Sequence, residues 1–477
     1  MESPPKRRMV DTDMILQSET IRTARRSILL VVLVLMAWTP AVQAEIVTLN
    51  LKAAIQRAMQ SNESYKSALE EETRANQEIK RARAGVFPEL SFDATYSRAF
   101  EIPEAVIDAG PALGGPQRIK LGSRHSTIWG VNWEQSIWEG GRVLAAWAAA
   151  RNVGRLADAA SEQAGIEIQA HVATAFFDAL LAERLVSVAA QSVEVAEANY
   201  DVVSKKFNEG LVSEYDHLQA KVRVANLRPS LISAENQRDI AQSRLRTIIG
   251  LDSGADLELI ESQPDSSAWE SLPLDDLVDM AVARRPDLEA AEFEIEARKN
   301  AVSVARADYF PSLRLSGSFN WQSVTDDFGY RSEEITRDWV GRVTVSFPIF
   351  DGFRRAGNVG VAKVDLAQAR YSRQELAKQT SLEVESARDD FIEATERLIA
   401  QEETVAEAQR GLDIANVRYE SGVGTQLEVR TAQLELTTAQ INAETARHDR
   451  DVARVAWRRA MGEPVLDDIP LVPEERE

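Results

Sequence analysis

Metal and thiol chemistry have little to draw on in this 477-residue chain, which holds four histidines and no cysteine. His125, His171, His217 and His448 lie far apart, and no two share the HxxxH or HExxH spacing that puts a ligand pair on one helix face. Without thiols, zinc-thiolate sites, disulfides, cysteine nucleophiles and a cysteine-linked lipid anchor are excluded. The sequence also lacks a nucleophile elbow and a phosphate loop, so neither catalysis nor a cofactor or metal is expected. With 75 acidic against 55 basic residues and a formal charge of −20, a phosphate-neutralising surface is absent and no nucleic-acid partner is expected.

Two carboxylates do have a specific local setting. Asp216 follows Ser213 and Glu428 follows Thr425 at the S/T-x-x-acid spacing of a capping box, where side chain and backbone at a helix start satisfy each other. Each lies just beyond a glycine, Gly210 or Gly422, of the type that ends a preceding helix in the left-handed conformation. The chain therefore turns sharply at two points, and the elements on either side set where those turns go.

Those elements occur twice. Phe87-Pro88-Glu89-Leu90 is echoed by Phe310-Pro311-Ser312-Leu313, and Ile137-Trp138-Glu139-Gly140-Gly141-Arg142 by Ile349-Phe350-Asp351-Gly352-Phe353-Arg354. The first match has an offset of 223 residues and the second 212, so eleven extra residues fall in a Gly/Pro-rich loop around Pro111 to Pro116. The expected organisation is a signal with an N-terminal extension over 1–44, a first repeat over 45–250, an acidic linker over 251–273, a second repeat over 274–462 and a tail over 463–477.

Within each repeat the hydrophobic period changes. Segments 90–100, 126–139, 313–323 and 339–349 alternate apolar and polar residues, hence four strands, each near the length that crosses a bilayer when tilted. Arg98 breaks the apolar face of the first. Elsewhere the period is seven: Val384, Phe391, Leu398, Val405, Leu412 and Tyr419 mark one seam, matched 212 residues earlier by Val172, Ala179, Val186, Val193, Tyr200 and Phe207. The long helices expected from Arg142 to Glu209 and from Ala356 to Ser421 would each reach roughly 100 Å at 1.5 Å per residue. Shorter helices return from the two turns, with a kink expected at Pro229.

Arg22, Arg25 and Arg26 precede an apolar run from Ile28 to Trp38 and a small-x-small ending at Val42-Gln43-Ala44, the pattern of a cleaved secretory signal leaving Glu45 first. No later stretch is apolar enough for a helical span, so membrane contact falls to the strands. Four strands cannot close a barrel, and an open edge in lipid leaves backbone groups unsatisfied. Two, three or four copies must share one wall. The fold class is thus mostly α with a membrane β-barrel contribution: long antiparallel coiled-coil helices below a shared barrel.

At this point the chain resembles the TolC family of outer-membrane efflux channels over essentially the whole mature sequence. The resemblance rests on the duplicated Phe-Pro-x-Leu, on Arg285-Pro286-Asp287-Leu288, and on the two tips Phe207-Asn208-Glu209-Gly210-Leu211-Val212 and Tyr419-Glu420-Ser421-Gly422-Val423-Gly424-Thr425. It implies a homotrimer with a twelve-stranded barrel in outer-membrane lipid of a Gram-negative bacterium. It further implies a helical tunnel through the periplasm that docks a periplasmic adaptor (membrane fusion protein) and an inner-membrane pump in efflux or type I secretion. By the same resemblance Asp216 and Glu428 match acidic positions near the periplasmic constriction, and Gly210, Leu211, Val212, Gly422, Val423, Gly424 and Thr425 match adaptor-contacting tips. Lys206, Arg418 or Arg430 would pair with the two carboxylates between neighbouring hairpins. The competing reading is a soluble periplasmic coiled-coil adaptor or scaffold, which would share the signal and the helical hairpins.

Overall fold

The computed structural model describes residues 46–108, 116–251, 256–261, 268–328 and 335–471. The signal segment and the centre of the Gly/Pro-rich loop lie outside them. Of the described residues, 46–48 and 256–258 fall in one compact unit and the others in a second.

The duplication governs the second unit. Helices α1 (Leu51–Ser61) and α2 (Glu63–Ala84) have counterparts of equal length in α5 (Leu274–Arg284) and α6 (Pro286–Ala307). The long α3 (Arg142–Asn208) and its return helix α4 (Glu214–Ile248) are matched by α7 (Arg354–Glu420) and α8 (Gln426–Ala460), with 67 residues in each long helix and 35 in each return. Helix α4 runs through Pro229 without interruption, although that residue offers no N–H to the ladder. The heptad seams carry the packing within each pair. Val172, Ala175, Ala179, Val193, Ala196 and Val203 are buried in the first, and Val384, Ala387, Ala394, Leu398, Leu412 and Ala415 in the second. Small residues at these sites let the backbones approach closely, which a run of leucines would prevent.

A four-stranded antiparallel sheet has the order β2 (Glu89–Arg98), β5 (His125–Glu139), β7 (Ser312–Thr325), β8 (Ile335–Ser346). Strand β8 stops at Ser346 instead of reaching Ile349, because Pro348 cannot donate to a ladder. The register puts Leu90, Trp133 and Gly317 side by side, then Phe92, Val131, Phe319 and Trp339, then Ala94, Trp129 and Trp321, all on one face. Glu89, Asp93, Asn132, Glu134, Ser316, Asn320, Asp338 and Arg342 lie on the other. The apolar face is bare: Trp339 is 80% and Val345 69% exposed. Strands β2 and β8 are the sheet's free edges.

Two further ladders were not foreseen. Between β2 and β5, strands β3 (Glu104–Asp108) and β4 (Pro116–Lys120) pair as a hairpin. In the segment expected to be an acidic linker, β6 (Asp256–Leu259) pairs with β1 (Ile46–Leu49). Leu257 and Leu259 there are both buried. The C-terminal segment is also packed: Val465 and Ile469 are buried, Arg458 pairs with Asp467, and the Tyr65 hydroxyl donates to the Leu471 carbonyl.

Candidate functional site

Both helical hairpins turn by one device. Gly210 has φ +73° and Gly422 φ +79°, conformations that cost a residue with a Cβ, and the reversal lets Leu211 N donate to the Lys206 carbonyl and Val423 N to that of Arg418. The carbonyls that would otherwise be orphaned at the end of α3 and α7 are thereby satisfied.

The return helices start differently. Ser213 Oγ accepts from Asp216 N at 3.2 Å while Asp216 Oδ2 accepts from Ser213 Oγ at 2.6 Å and from Ser213 N at 3.4 Å, a complete reciprocal cap. Thr425 Oγ1 accepts from Glu428 N at 3.3 Å and donates to Glu428 Oε1 at 3.4 Å, but Glu428 turns its other oxygen to Arg418 Nε, 3.3 Å away in the same hairpin. Lys206 and Arg430 bridge the two hairpins of one chain, yet onto neutral acceptors. Lys206 Nζ donates to the Tyr419 carbonyl at 3.2 Å and sits 4.0 Å from that ring's centre, and Arg430 donates to Gln219 Oε1 at 3.2 Å. Burial and the Asp216 charge raise the Tyr419 pKa above its ordinary value, and the hydroxyl is buried without a hydrogen-bond partner. Leu211 and Val423 are exposed at the two turns, 68% and 70% respectively.

Asp216 and Tyr419 were identifiable from sequence; their neighbour His217 was not. Its ring is stacked between Phe207, 4.8 Å away and nearly parallel, and Tyr200, 5.4 Å away, which locks α4 onto α3. The equivalent site in the second hairpin is Val429, in an apolar cluster with Leu412, Ala415, Ala432 and Leu436.

Above the tips the seam between α3 and α8 is polar. Ser192 meets Thr437 at 3.1 Å, Gln440 donates to Gln191 at 3.3 Å, Arg184 pairs with Glu444 at 3.4 Å, and His448 Nε2 lies 2.8 Å from Asp178 Oδ1. The other His448 nitrogen faces Asp449, which Arg397 of α7 also approaches at 3.5 Å. Burial works against a charged His448 ring, but the hydrogen bonds and charges of Asp178 and Asp449 outweigh it and raise the pKa above the ordinary imidazole value. A raised folded-state pKa means that this contact stabilises fully below the ordinary imidazole value and is lost as pH rises through the folded value. We expect backbone amide protection along this seam, taken relative to the intrinsic exchange rate at each pH, to fall from mildly acid to mildly alkaline pH, and His448→Gln to flatten that trend; an equally steep fall in the variant would remove His448 from the effect.

Among the described residues no group of three acidic or histidine side chains is arranged to hold a metal, and no helix is long and apolar enough to cross a membrane. What remains is a sheet with one bare apolar side, a polar side and two free edges, mounted on paired helices of 67 and 35 residues. That combination defines a wall segment of a membrane channel with a helical conduit. Residues 54–251 and 277–463 match the family described as outer membrane efflux protein, and the chain belongs to that family. It is 26% identical over 428 residues to outer membrane protein OprJ of Pseudomonas aeruginosa, covering 87% of this chain and 85% of that protein. It is also 26% identical over 360 residues to the probable efflux pump outer membrane protein TtgC of Pseudomonas putida, covering 74% and 70%. Among solved structures, VceC of Vibrio cholerae superposes with a TM-score of 0.71 at 20% identity over 87% of this chain and 96% of that one. A membrane protein from Pseudomonas aeruginosa gives 0.74 at 24% identity over 90% and 94%. The protein is thus an outer-membrane efflux channel of a Gram-negative bacterium, of the kind that serves tripartite pumps, and its relatives are channel proteins, not enzymes.

Proposed function

We propose that three copies close one twelve-stranded wall and that their helical hairpins form a continuous duct ending at the Gly210 and Gly422 turns. The observation that carries this is the pair of free edges: β2 runs away from the helices and β8 returns toward them, so β8 of one copy and β2 of the next can join antiparallel. Closure satisfies every edge group that lipid would leave bare. In this reading the exposed Leu211, Val423 and Thr425, with the half-buried Val212, meet the adaptor, and Asp216 and Glu428 ring the narrow end. Lys206 and Arg430 hold adjoining hairpins together there while Arg418 closes its own hairpin onto Glu428, and the inner-membrane pump delivers substrate into the duct. A soluble scaffold would not leave a face bearing Trp339, Phe92 and Val345 uncovered.

Detergent extracts of the outer membrane are expected to yield a heat-sensitive trimer, and a crosslinker attached at Val423→Cys is expected to trap an adaptor. Recovery of the protein as a dissolved monomer in the periplasm would sink the proposal.

A further inference from the structure

Charge is divided unequally between the two faces of the sheet. Every acidic residue on strands β2, β5, β7 and β8 with a fixed place in the ladder above the β5 irregularity, namely Glu89, Asp93, Glu134 and Asp338, lies on the polar face. The arginines there have acidic company: Arg314 reaches Glu134 at 3.0 Å and Glu139 at 3.5 Å, and Arg342 lines one depression with Glu89 and Glu134. The apolar face holds no carboxylate over the same span but carries two exposed arginines, Arg98 and Arg337. In a chain of net charge −20 this is a local reversal of sign.

Position adds to composition. The helices attach at the Glu89, Glu139, Ser312 and Ser346 ends of the strands, so Arg98, the last residue of β2, and Arg337, the third of β8, are at the opposite end of the sheet. A cation on the lipid side costs roughly 2–4 kcal/mol at mid-bilayer and close to nothing at the interface, so this end belongs at the headgroup layer. Aromatic residues surround both arginines. Arg98 Cζ is 5.4 Å from the centre of the Phe100 ring, itself 92% exposed, and Arg337 is directly opposite Trp321 in the ladder. Beside Arg98, the Tyr96 hydroxyl meets His125 at 2.7 Å and the 83% exposed Phe328 packs edge-on against both rings. Apolar rings this exposed at a strand end fit an acyl boundary, with the guanidinium groups just above it. Because Arg98 is on one free edge and Arg337 on the other, closing the wall brings the arginine of one copy to the seam carrying that of the next.

We propose that this outward rim, centred on Arg98 and Arg337 and flanked by Phe100, Trp321 and Phe328, is a docking surface for phosphate-bearing lipids of the outer leaflet. The guanidinium fork matches phosphate oxygens bidentately, and the rings seat the upper acyl chains. The inference rests on the channel reading, which supplies the closed wall and the lipid side.

Native mass spectrometry of the detergent-purified oligomer, titrated with a bisphosphorylated lipid A, its dephosphorylated counterpart and inorganic phosphate, tests it. The phosphorylated lipid is expected to remain bound in defined numbers, the dephosphorylated one to bind at least tenfold more weakly, and inorganic phosphate not to displace the lipid. Arg98→Gln with Arg337→Gln is expected to weaken retention of the phosphorylated lipid about tenfold, each single variant to a smaller extent, and Arg342→Gln on the opposite face to leave it unchanged. Equal retention by the double variant, an equal loss in Arg342→Gln, or displacement by free phosphate would each overturn the proposal. If no oligomer reaches the outer membrane, the channel reading has failed; an intact oligomer with unselective lipid binding fails this inference alone.

Discussion

Replacing Arg285 with alanine is expected to lower stability by about 1–3 kcal/mol, the range for leaving hydrogen-bond acceptors without their donor, because Asp287 and Glu383 stay partly solvated at 23% and 35% exposure. The side chain is only 8% exposed. Its Nε and one terminal nitrogen fork onto the two oxygens of Asp287 at 3.0 and 2.7 Å, while the other nitrogen reaches Glu383 at 2.7 Å and the Ala460 carbonyl at 3.1 Å. One guanidinium thus ties the α5–α6 junction to α7 and to the end of α8. Alanine would leave Asp287 Oδ2 and a helix-terminal carbonyl without that donor, whereas Asp287 Oδ1 keeps the Leu288 N–H at 2.8 Å and Glu383 keeps Arg459 at 3.1 Å. Arg285→Lys retains charge without the fork and should recover only part of the loss. The midpoint of thermal dissociation of the purified oligomer, with protease sensitivity near 285–288, measures this. A midpoint unchanged in the alanine variant would mean that the knot adds nothing beyond an apolar contact.

The second large effect is expected at the turns. Asp216→Lys combined with Glu428→Lys should raise single-channel conductance in a planar bilayer several-fold. The first change removes the third-position acceptor of the reciprocal cap, and the second puts a cation beside Arg418 where its carboxylate partner had been. Both loosen the hairpin ends and reverse the local field at the turns. Asp216→Asn with Glu428→Gln keeps acceptors for the caps while removing charge, so a rise in that variant too would assign the effect to electrostatics and not to fraying. Unchanged conductance in the lysine variant would remove both carboxylates from the constriction.

The long elements were legible in the sequence because periodicity is a local, repeated signal. The 212-residue echo reappears in the structure as helices of matching bounds, and strict alternation from Leu313 to Ser323 was enough to identify β7. What escaped were contacts between residues remote in sequence. Asp-Leu-Glu-Leu at 256–259 does alternate, but four residues among acidic neighbours looked like a linker until Ile46–Leu49 supplied a partner. His448 has no ligand-pair spacing to another histidine, and its partner Asp178 is 270 positions away. At the tips the caps followed from spacing alone, while the partners of Lys206 and Arg430 depended on how two hairpins lie against each other, which no seven-residue period encodes.

The two free edges have a genetic corollary. With the wall closed between copies as proposed, a chain damaged along β2 or β8 would enter rings and spoil them, drawing intact copies into defective pores. Mixed expression of intact and edge-damaged alleles should then abolish export out of proportion to the damaged fraction, a dominant phenotype from a change that alters neither the duct lining nor the turns.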